Sequence, residues 1–368
     1  MRRYVIGIWL SLLAVSAFGQ ANGKLQLHFI DVGQGMGAIL ISPQGQTVLF
    51  DDGNSKDCDK PLSYLQQLGV TKIDYHVTSH YHSDHIGCAR QVFAEFPLQQ
   101  TAYDRGQSYN SSTFQQYVQA VGAHRKTATV GSTVVLDQAS ASPVTITFVA
   151  LNGNGVTTTN ENDLSLVSLV SFEDFRAELG GDLSGENTGT YADIETSVAP
   201  KVGRVDVYDV HHHGSRYSSN PAWLATLHPR IGIVSSGDGN DYNHPTAECL
   251  ERLHDADVHT YWTETGNGVK PDPEYDTVGG NIIITVTPGS HAFTVTPTKQ
   301  GVAGATFPTW LASTSTATTT PLVQYAWSKN SAFYHFANCK YVANITPANL
   351  MQGTTPPAGK TLHNGCPK

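Results

Sequence analysis

KIDYHVTSHYHSDHIG, residues 72–87, is the stretch that decides the fold. Its first half reads as a buried strand, which delivers His80, His82, Asp84 and His85 at the strand's C-terminal end. His80 and His82 lie two apart, so on an extended chain both side chains leave from one face and can grip one ion together. Asp84 and His85 follow where a helix is expected to begin, over residues 83–96, and this aims them at a neighbouring point. The pattern therefore suits a pair of divalent metal ions. Imidazole and carboxylate without thiolate favour zinc, with manganese or iron as alternatives. Four such residues within six positions, with the small Gly87 behind them, form the strongest chemical signal in the chain.

A two-metal site needs a bridging carboxylate and at least one more imidazole. In RAELGGD (176–182), Asp182 ends an expected strand and enters a glycine-flanked turn, which suits the bridging role. In VDVYDVHHHGS (205–215), another expected strand ends in histidines, and of these His212 or His213 completes the second metal position. Two ions close together lower the pKa of a water held between them and polarise a carbonyl or phosphoryl oxygen, so hydroxide attack on a substrate follows. Asp84 or Asp182 would orient that nucleophile and shuttle its proton. His213, Ser215 and His244 are candidate donors to the developing negative charge, and His213 is favoured because it abuts the proposed ligand. His244 precedes Pro245 at the start of TAECLERL and is read equally as a substrate contact or a helix-start residue.

Outward from the cluster, strands are expected at KLQLHFI, GAILISP, QTVLFDDG, STVVLD, VTITFVAL, SLVSLVSF, RAELGGD, VDVYDV, RIGIVSSG, VHTYWTE and NIIITV. Helices are expected at KPLSYLQQLGV, where Leu62, Leu65 and Leu68 share one face, and near PAWLATL and TAECLERL. Strands interleaved with helices imply an α+β domain over residues 23–300: two mixed sheets packed face to face, with helices covering both. Residues 301–321 contain STSTATTT and read as a Ser/Thr-rich linker. Residues 322–368 form a small aromatic, cysteine-containing C-terminal domain, of a size that usually needs a staple. Its aromatic residues Tyr325, Trp327, Phe333, Tyr334, Phe336 and Tyr341 build either a cell-wall or carbohydrate contact or a small core, and the core is the preferred reading.

The N-terminus has Arg2 and Arg3, an apolar run, then Ala17 and Gly19, the layout of a secretory signal over residues 1–19. Secreted or periplasmic localisation is expected, with no membrane span after cleavage. The formal charge of −9 becomes more negative by two when the arginines leave. No basic stripe appears, so a strong nucleic-acid-binding patch is not expected. In an oxidising compartment the five cysteines suggest two disulfides, Cys58–Cys88 and Cys339–Cys366, leaving Cys249 as a buried thiol. His335, Cys339, His363 and Cys366 are also a candidate zinc set, less favoured than the disulfide.

The order HxHxDHxG, GGD and HHGS resembles the metallo-β-lactamase superfamily. With DVGQG (31–35), ENDLSLV (161–167) and SSGDGNDYNHP (235–245), it is similar to the ComEC-like extracytoplasmic metallo-hydrolase domain of DNA uptake, over residues 25–290. The GGD turn followed by an HHH run is also shared with secreted phosphorylcholine esterases. The resemblance implies a four-layer αβ/βα sandwich and a binuclear centre. His80 and His82 would serve the first ion, Asp84, His85 and the later histidine the second, and Asp182 would bridge. It further implies that Asp51 and Asp52 support the metal loops, and Asp31 is read in the same way. Asn162 either binds the site or closes a turn. Two departures stand out: Met36 replaces an acidic residue expected near the site mouth, and the usual third imidazole of the first ion has no match beyond His124. The function implied is a secreted metal-dependent hydrolase acting on phosphodiesters, in nucleic acid or a phosphorylated envelope component. The alternatives are a lactone, thioester or amide hydrolase, or a surface-binding protein whose centre is vestigial.

Overall fold

The computed structural model describes residues 21–310, 325–336, 339, 341–342, 345, 349–353 and 357–363. The expected leader and Cys366 lie outside these residues. The chain divides into two compact units, residues 1–313 and 314–368.

In the first unit the strands are β1 (Leu25–Phe29), β2 (Ala38–Ile41), β3 (Thr47–Phe50), β4 (Tyr75–Val77), β5 (Ala102–Asp104), β6 (Arg125–Thr127), β7 (Thr133–Leu136), β8 (Val144–Ala150), β9 (Val167–Phe172), β10 (Phe175–Leu179), β11 (Val207–Asp209), β12 (Ile231–Val234), β13 (His259–Trp262), β14 (Asp276–Val278), β15 (Ile282–Val286), β16 (Ala292–Pro297) and β17 (Ala305–Pro308). The helices are α1 (Asp59–Gln67), α2 (Ala89–Glu95), α3 (Ser112–Val121), α4 (Glu195–Val202), α5 (Pro221–Leu227) and α6 (Ala247–Asp255). One sheet runs β17-β16-β15-β1-β2-β3-β4-β5-β6 and the other β14-β13-β12-β11-β10-β9-β8-β7. Each sheet has an antiparallel part and a parallel part, β3 to β6 in the first and β10 to β14 in the second. Parallel neighbours need crossovers, and α1 to α6 supply six of the seven, while β13 and β14 are joined by residues 263–275 without a helix.

Alternation along the strands builds the layers. In β2, Ala38 and Leu40 enter the core between the sheets, while Ile39 and Ile41 meet the helices on the other face. Leu65, Val92, Phe114 and Tyr117 of α1 to α3 cover the first sheet. Val198, Trp223, Leu224, Leu250 and Leu253 of α4 to α6 cover the second. The result is the four-layer αβ/βα sandwich. Local signals agree with it: Asn220 caps α5 by accepting from Trp223 N at 2.8 Å, with Pro221 in the first turn, and Ser111 caps α3 by accepting from Phe114 N at 3.0 Å. Such caps contribute about 1 kcal/mol each.

Two expectations need correction. The helix expected from Ser83 begins only at Ala89. Residues 82–87 instead form a tight turn in which His85 N and Ile86 N both donate to His82 O at 3.1 Å. Gly87 permits that turn, because a Cβ there would lie 2.2 Å from both Ser55 N and Ser83 O. The linker expected from 301 also starts too early, since β17 pairs antiparallel with β16 and Trp310 N donates to Asp206 Oδ1 at 2.8 Å.

The second unit is a four-stranded sheet, β20-β18-β19-β21, of β18 (Tyr325–Ser328), β19 (Phe333–Phe336), β20 (Leu350–Gly353) and β21 (Thr361–Leu362). Ala326, His335, Phe336 and Cys339 are buried in it. Among the described residues no helix is long and apolar enough to cross a membrane.

Candidate metal centre

Ligand candidates gather where parallel strands from both sheets end, the position at which open α/β sheets present their loops. β4 leads to His80, β10 to Asp182, β11 to His211–His213 and β12 to Ser235. His80, His85, Asp182 and His213 are buried, while His82, Asp84 and His212 are half-buried and form the side open to solvent.

Two overlapping groups, His80–His85–Asp182 and Asp84–His85–His213, bring their ligand atoms within 4.8 Å of one another. Asp182 joins the groups. Its Oδ1 lies 3.1 Å from His85 Nε2 and 3.4 Å from His213 Nε2, and its Oδ2 lies 3.7 Å from both His80 Nε2 and His212 Nε2. Asp84 Oδ2 is 3.4 Å from His213 Nε2, and His82 Nδ1 is 3.1 Å from His80 Nε2. His212 and His213 therefore both face the cluster, on different oxygens of Asp182. His211 does not: its ring is held between Glu195 at 2.8 Å and Glu178 at 3.2 Å, away from the centre.

The surroundings fix which ring nitrogen is free. A carboxylate only accepts, so His85 Nδ1–H donates to Asp51 Oδ2 at 2.7 Å, which leaves Nε2 as the ring atom that faces the cluster and would meet a cation. His213 Nδ1–H donates to Ser235 O at 2.8 Å, with the same consequence. Those two Nε2 atoms face each other at 3.3 Å beside two carboxylates. Two imidazole lone pairs at that distance repel, so either a proton on one ring or a bound cation must lie between them. Asn162 is buried too, and its Oδ1 finds no hydrogen-bond partner among the described residues. This donor set fits divalent cations, and the second group, which with Asp182 offers two imidazoles and two carboxylates, suits zinc or manganese.

The electrostatics agree. Burial pushes Asp182 up, but His213, His85, His212 and His80 more than offset this and hold it well below the usual carboxylate range. Asp84 is likewise lowered despite burial, chiefly by His213 and His85. Burial lowers His85, yet Asp182 and Asp51 reverse that and raise it well above its ordinary value. His80 is lowered well below the ordinary histidine value by burial and then by His85, and His212 falls to about 4, again through burial first.

The supporting residues hold strained backbone in place. His212 and His213 adopt φ of 54° and 56°, a region costly for residues with a Cβ. His212 N donates to Gly181 O at 3.1 Å and Ser215 N to His212 O at 2.9 Å, so the HHH and GGD turns are tied together. At Gly180 a Cβ would come within 2.3 Å of His211 Nε2. Asp51 also accepts from Ser79 N at 2.7 Å and Ser79 Oγ at 2.6 Å, fixing the backbone before His80. Asp52 accepts from Cys88 N at 2.7 Å, and Cys88 is disulfide-bonded to Cys58. Asp31 accepts from Gly33 N and from Lys60, which also pairs with Glu264.

The remaining candidates are placed as follows. His244 sits with its ring 5.4 Å from that of His212, and α6 begins beyond it at Ala247. Burial lowers it to about 3, so its imidazole is neutral. Ser215 is buried, and its Oγ accepts from Tyr217 N at 3.4 Å rather than facing the cluster. His124 is exposed at the end of a short 3-10 turn, with Nδ1 against Gln100 O, so it does not supply the missing imidazole. Asn162 lies beside the cluster, with its Nδ2 3.2 Å from His212 Nε2. Met36 is buried in the core between the sheets, so position 36 points beneath the site rather than at its mouth. Arg105 escaped sequence reading: it pairs with Glu161, which accepts from Tyr81 N at 2.9 Å between His80 and His82.

A family model for the metallo-beta-lactamase superfamily matches residues 38–135. Recombination protein 2 of Haemophilus influenzae is 28% identical over 258 residues, 68% of this chain and 29% of the relative. ComE operon protein 3 of Bacillus subtilis is 22% identical over 266 residues, 67% of this chain and 32% of the relative. The chain thus spans about a third of the length of these curated relatives. Among solved structures, the metallo-beta-lactamase fold protein YhfI of Bacillus subtilis is 14% identical with a TM-score of 0.41, covering 67% of this chain and 99% of that one. The matched segment runs from β2 into β7 and carries His80, His82, Asp84 and His85, so over this part the chain is similar to the metallo-β-lactamase superfamily, and over residues beyond it to ComEC-like proteins.

Proposed function

We propose that this chain is a phosphodiesterase acting outside the cytoplasm, on nucleic acid or a phosphorylated envelope polymer. The observation that most supports this reading is the division of Asp182, which offers one oxygen to each ligand group. Two divalent cations held by His80, His82, Asp84, His85, Asp182, His212 and His213 would activate water and stabilise the attacking and leaving oxygens of a phosphoryl transfer. Asp84, half-buried and anionic, faces solvent and accepts the proton of the attacking water. Neutral His244 donates to a phosphoryl oxygen without adding charge. His85 and His213, each pinned through Nδ1, keep their geometry during turnover. Similarity to a recombination protein favours nucleic acid among the phosphodiesters, and the Cys58–Cys88 disulfide favours an oxidising compartment.

The test is the metal content of the purified protein, followed by turnover of bis-p-nitrophenyl phosphate, DNA and a lactone panel. Metal-dependent cleavage of diesters is expected, and His82→Ala should lose both metal and turnover. Hydrolysis confined to lactones would overturn the phosphodiester reading, and a metal-free, inactive protein would overturn the enzyme.

A further inference from the structure

Four loops each bring a tyrosine to the rim of the metal centre. Tyr109 packs edge-on against His82 with ring centroids 6.0 Å apart, and Tyr191 meets His212 edge-on at 5.8 Å. Tyr242 stacks with His244 at 5.7 Å, and Tyr217 lies 4.7 Å from Tyr191. Tyr242 is 63% exposed, a large ring held in solvent beside a reactive site. Tyr109, Tyr191 and Tyr217 are half-buried, each with part of the ring open. Arg216 lies over the Tyr217 ring, 4.8 Å from its centroid, and donates to its hydroxyl at 2.6 Å, so the cation at this rim is itself part of a stack.

Charge does not explain how such a mouth would hold a polyanion. The chain carries 22 Lys and Arg against 31 Asp and Glu, and phosphate neutralisation needs basic side chains. Aromatic rings provide a different grip, because every base has a π-face and stacks on tyrosine whatever its sequence. Tyr109, Tyr191 and Tyr242 border three different members of the site, so units on more than one side of a scissile phosphate meet a ring.

We propose that Tyr109, Tyr191 and Tyr242 form a stacking rim that selects single-stranded nucleic acid, reading unpaired bases rather than phosphate charge. This rests on the phosphodiesterase reading above and names its substrate class. Paired bases in a duplex hide their faces, so the duplex is the poorer substrate.

The experiment compares, with metal-loaded full-length protein, a short single-stranded oligodeoxynucleotide, its duplex, and an abasic single strand of equal length and charge. The base-bearing strand should exceed the abasic strand in kcat/KM by roughly 5- to 150-fold, the range for one stacked base. Tyr242→Ala and Tyr191→Ala should pull that ratio toward one by raising KM, and Tyr242→Phe should restore it. The preference should persist from low to moderate salt. Equal cleavage of base-bearing and abasic strands, or a ratio untouched by both alanine variants, overturns the rim while leaving a phosphodiesterase. Cleavage of bis-p-nitrophenyl phosphate with no cleavage of either strand overturns the rim in favour of another diester. No diester cleavage at all overturns both readings.

Discussion

At the scale of single residues, Asp51 shows how a side chain outside the ligand set controls it. It accepts from His85 Nδ1 and so presents Nε2 to the centre. Asp51→Asn should weaken metal affinity about 10- to 100-fold with the fold intact, as measured by chelator competition alongside circular dichroism. His28 makes a different prediction. Burial lowers it to about 4, with Nδ1 2.9 Å from the Tyr64 hydroxyl. Between its unfolded pKa of roughly 6.5 and that folded value, the unfolded chain binds the extra proton. Stability therefore rises with pH across this window and is lost as pH falls through it, at up to about 1.4 kcal/mol per pH unit. Denaturant titrations from pH 4 to 7 should show His28→Gln with a slope shallower by one proton. Sequence made the cluster of His80 to His85 legible because ligand spacing is a local property. The choice among His211, His212 and His213 was not legible, because it turns on Glu178 and Glu195, which approach His211 from 33 and 16 residues away. Asn162 stayed open for the same reason.

Among the elements, strands with β-branched alternation such as β8 and β15 were evident from pattern alone. Those missed were the three-residue strands β5, β6 and β14, too short to show a period, together with β16, β17, α3 and α4, the last of which contains Pro200. The helix expected from Ser83 failed because the backbone there follows Gly87 and its close neighbours rather than helical propensity. Gly87→Ala should consequently disrupt the 82–87 turn, lowering both metal content and melting temperature, whereas Gly289→Ala meets nothing within 4 Å and tests the strain of φ 72° alone. Cys58 and Cys88 precede α1 and α2 directly and tie these helices across a separation of 30 residues. A loop of that size corresponds to roughly 3–4 kcal/mol in the chain-entropy account. The double variant Cys58→Ser/Cys88→Ser should lose stability of that order in denaturant titration, and wild-type protein should lose a similar amount on reduction.

For the whole molecule, the two-sheet, helix-covered plan followed from alternating strands and helices, but the end of the domain did not. β17 and Trp310 extend it past residue 300, with the Trp310 ring 3.7 Å from Arg230 and 4.6 Å from Arg204, and its Nε1 donating to His228 O at 2.8 Å. Short polar stretches near STSTATTT hid this seam in the sequence. A chain ending at 300 should be about 2–3 kcal/mol less stable than one ending at 310, reflecting lost aromatic burial and cation–π contact; calorimetry on the pair decides it. The sharing of Asp182 has a last consequence. His80 to His85 belong to the first sheet, Asp182 and His211 to His213 to the second, and neither half alone supplies the full set. Metal binding would therefore be coupled to the docking of the two halves, so metal-loaded protein should melt at a higher temperature than chelated protein in calorimetry.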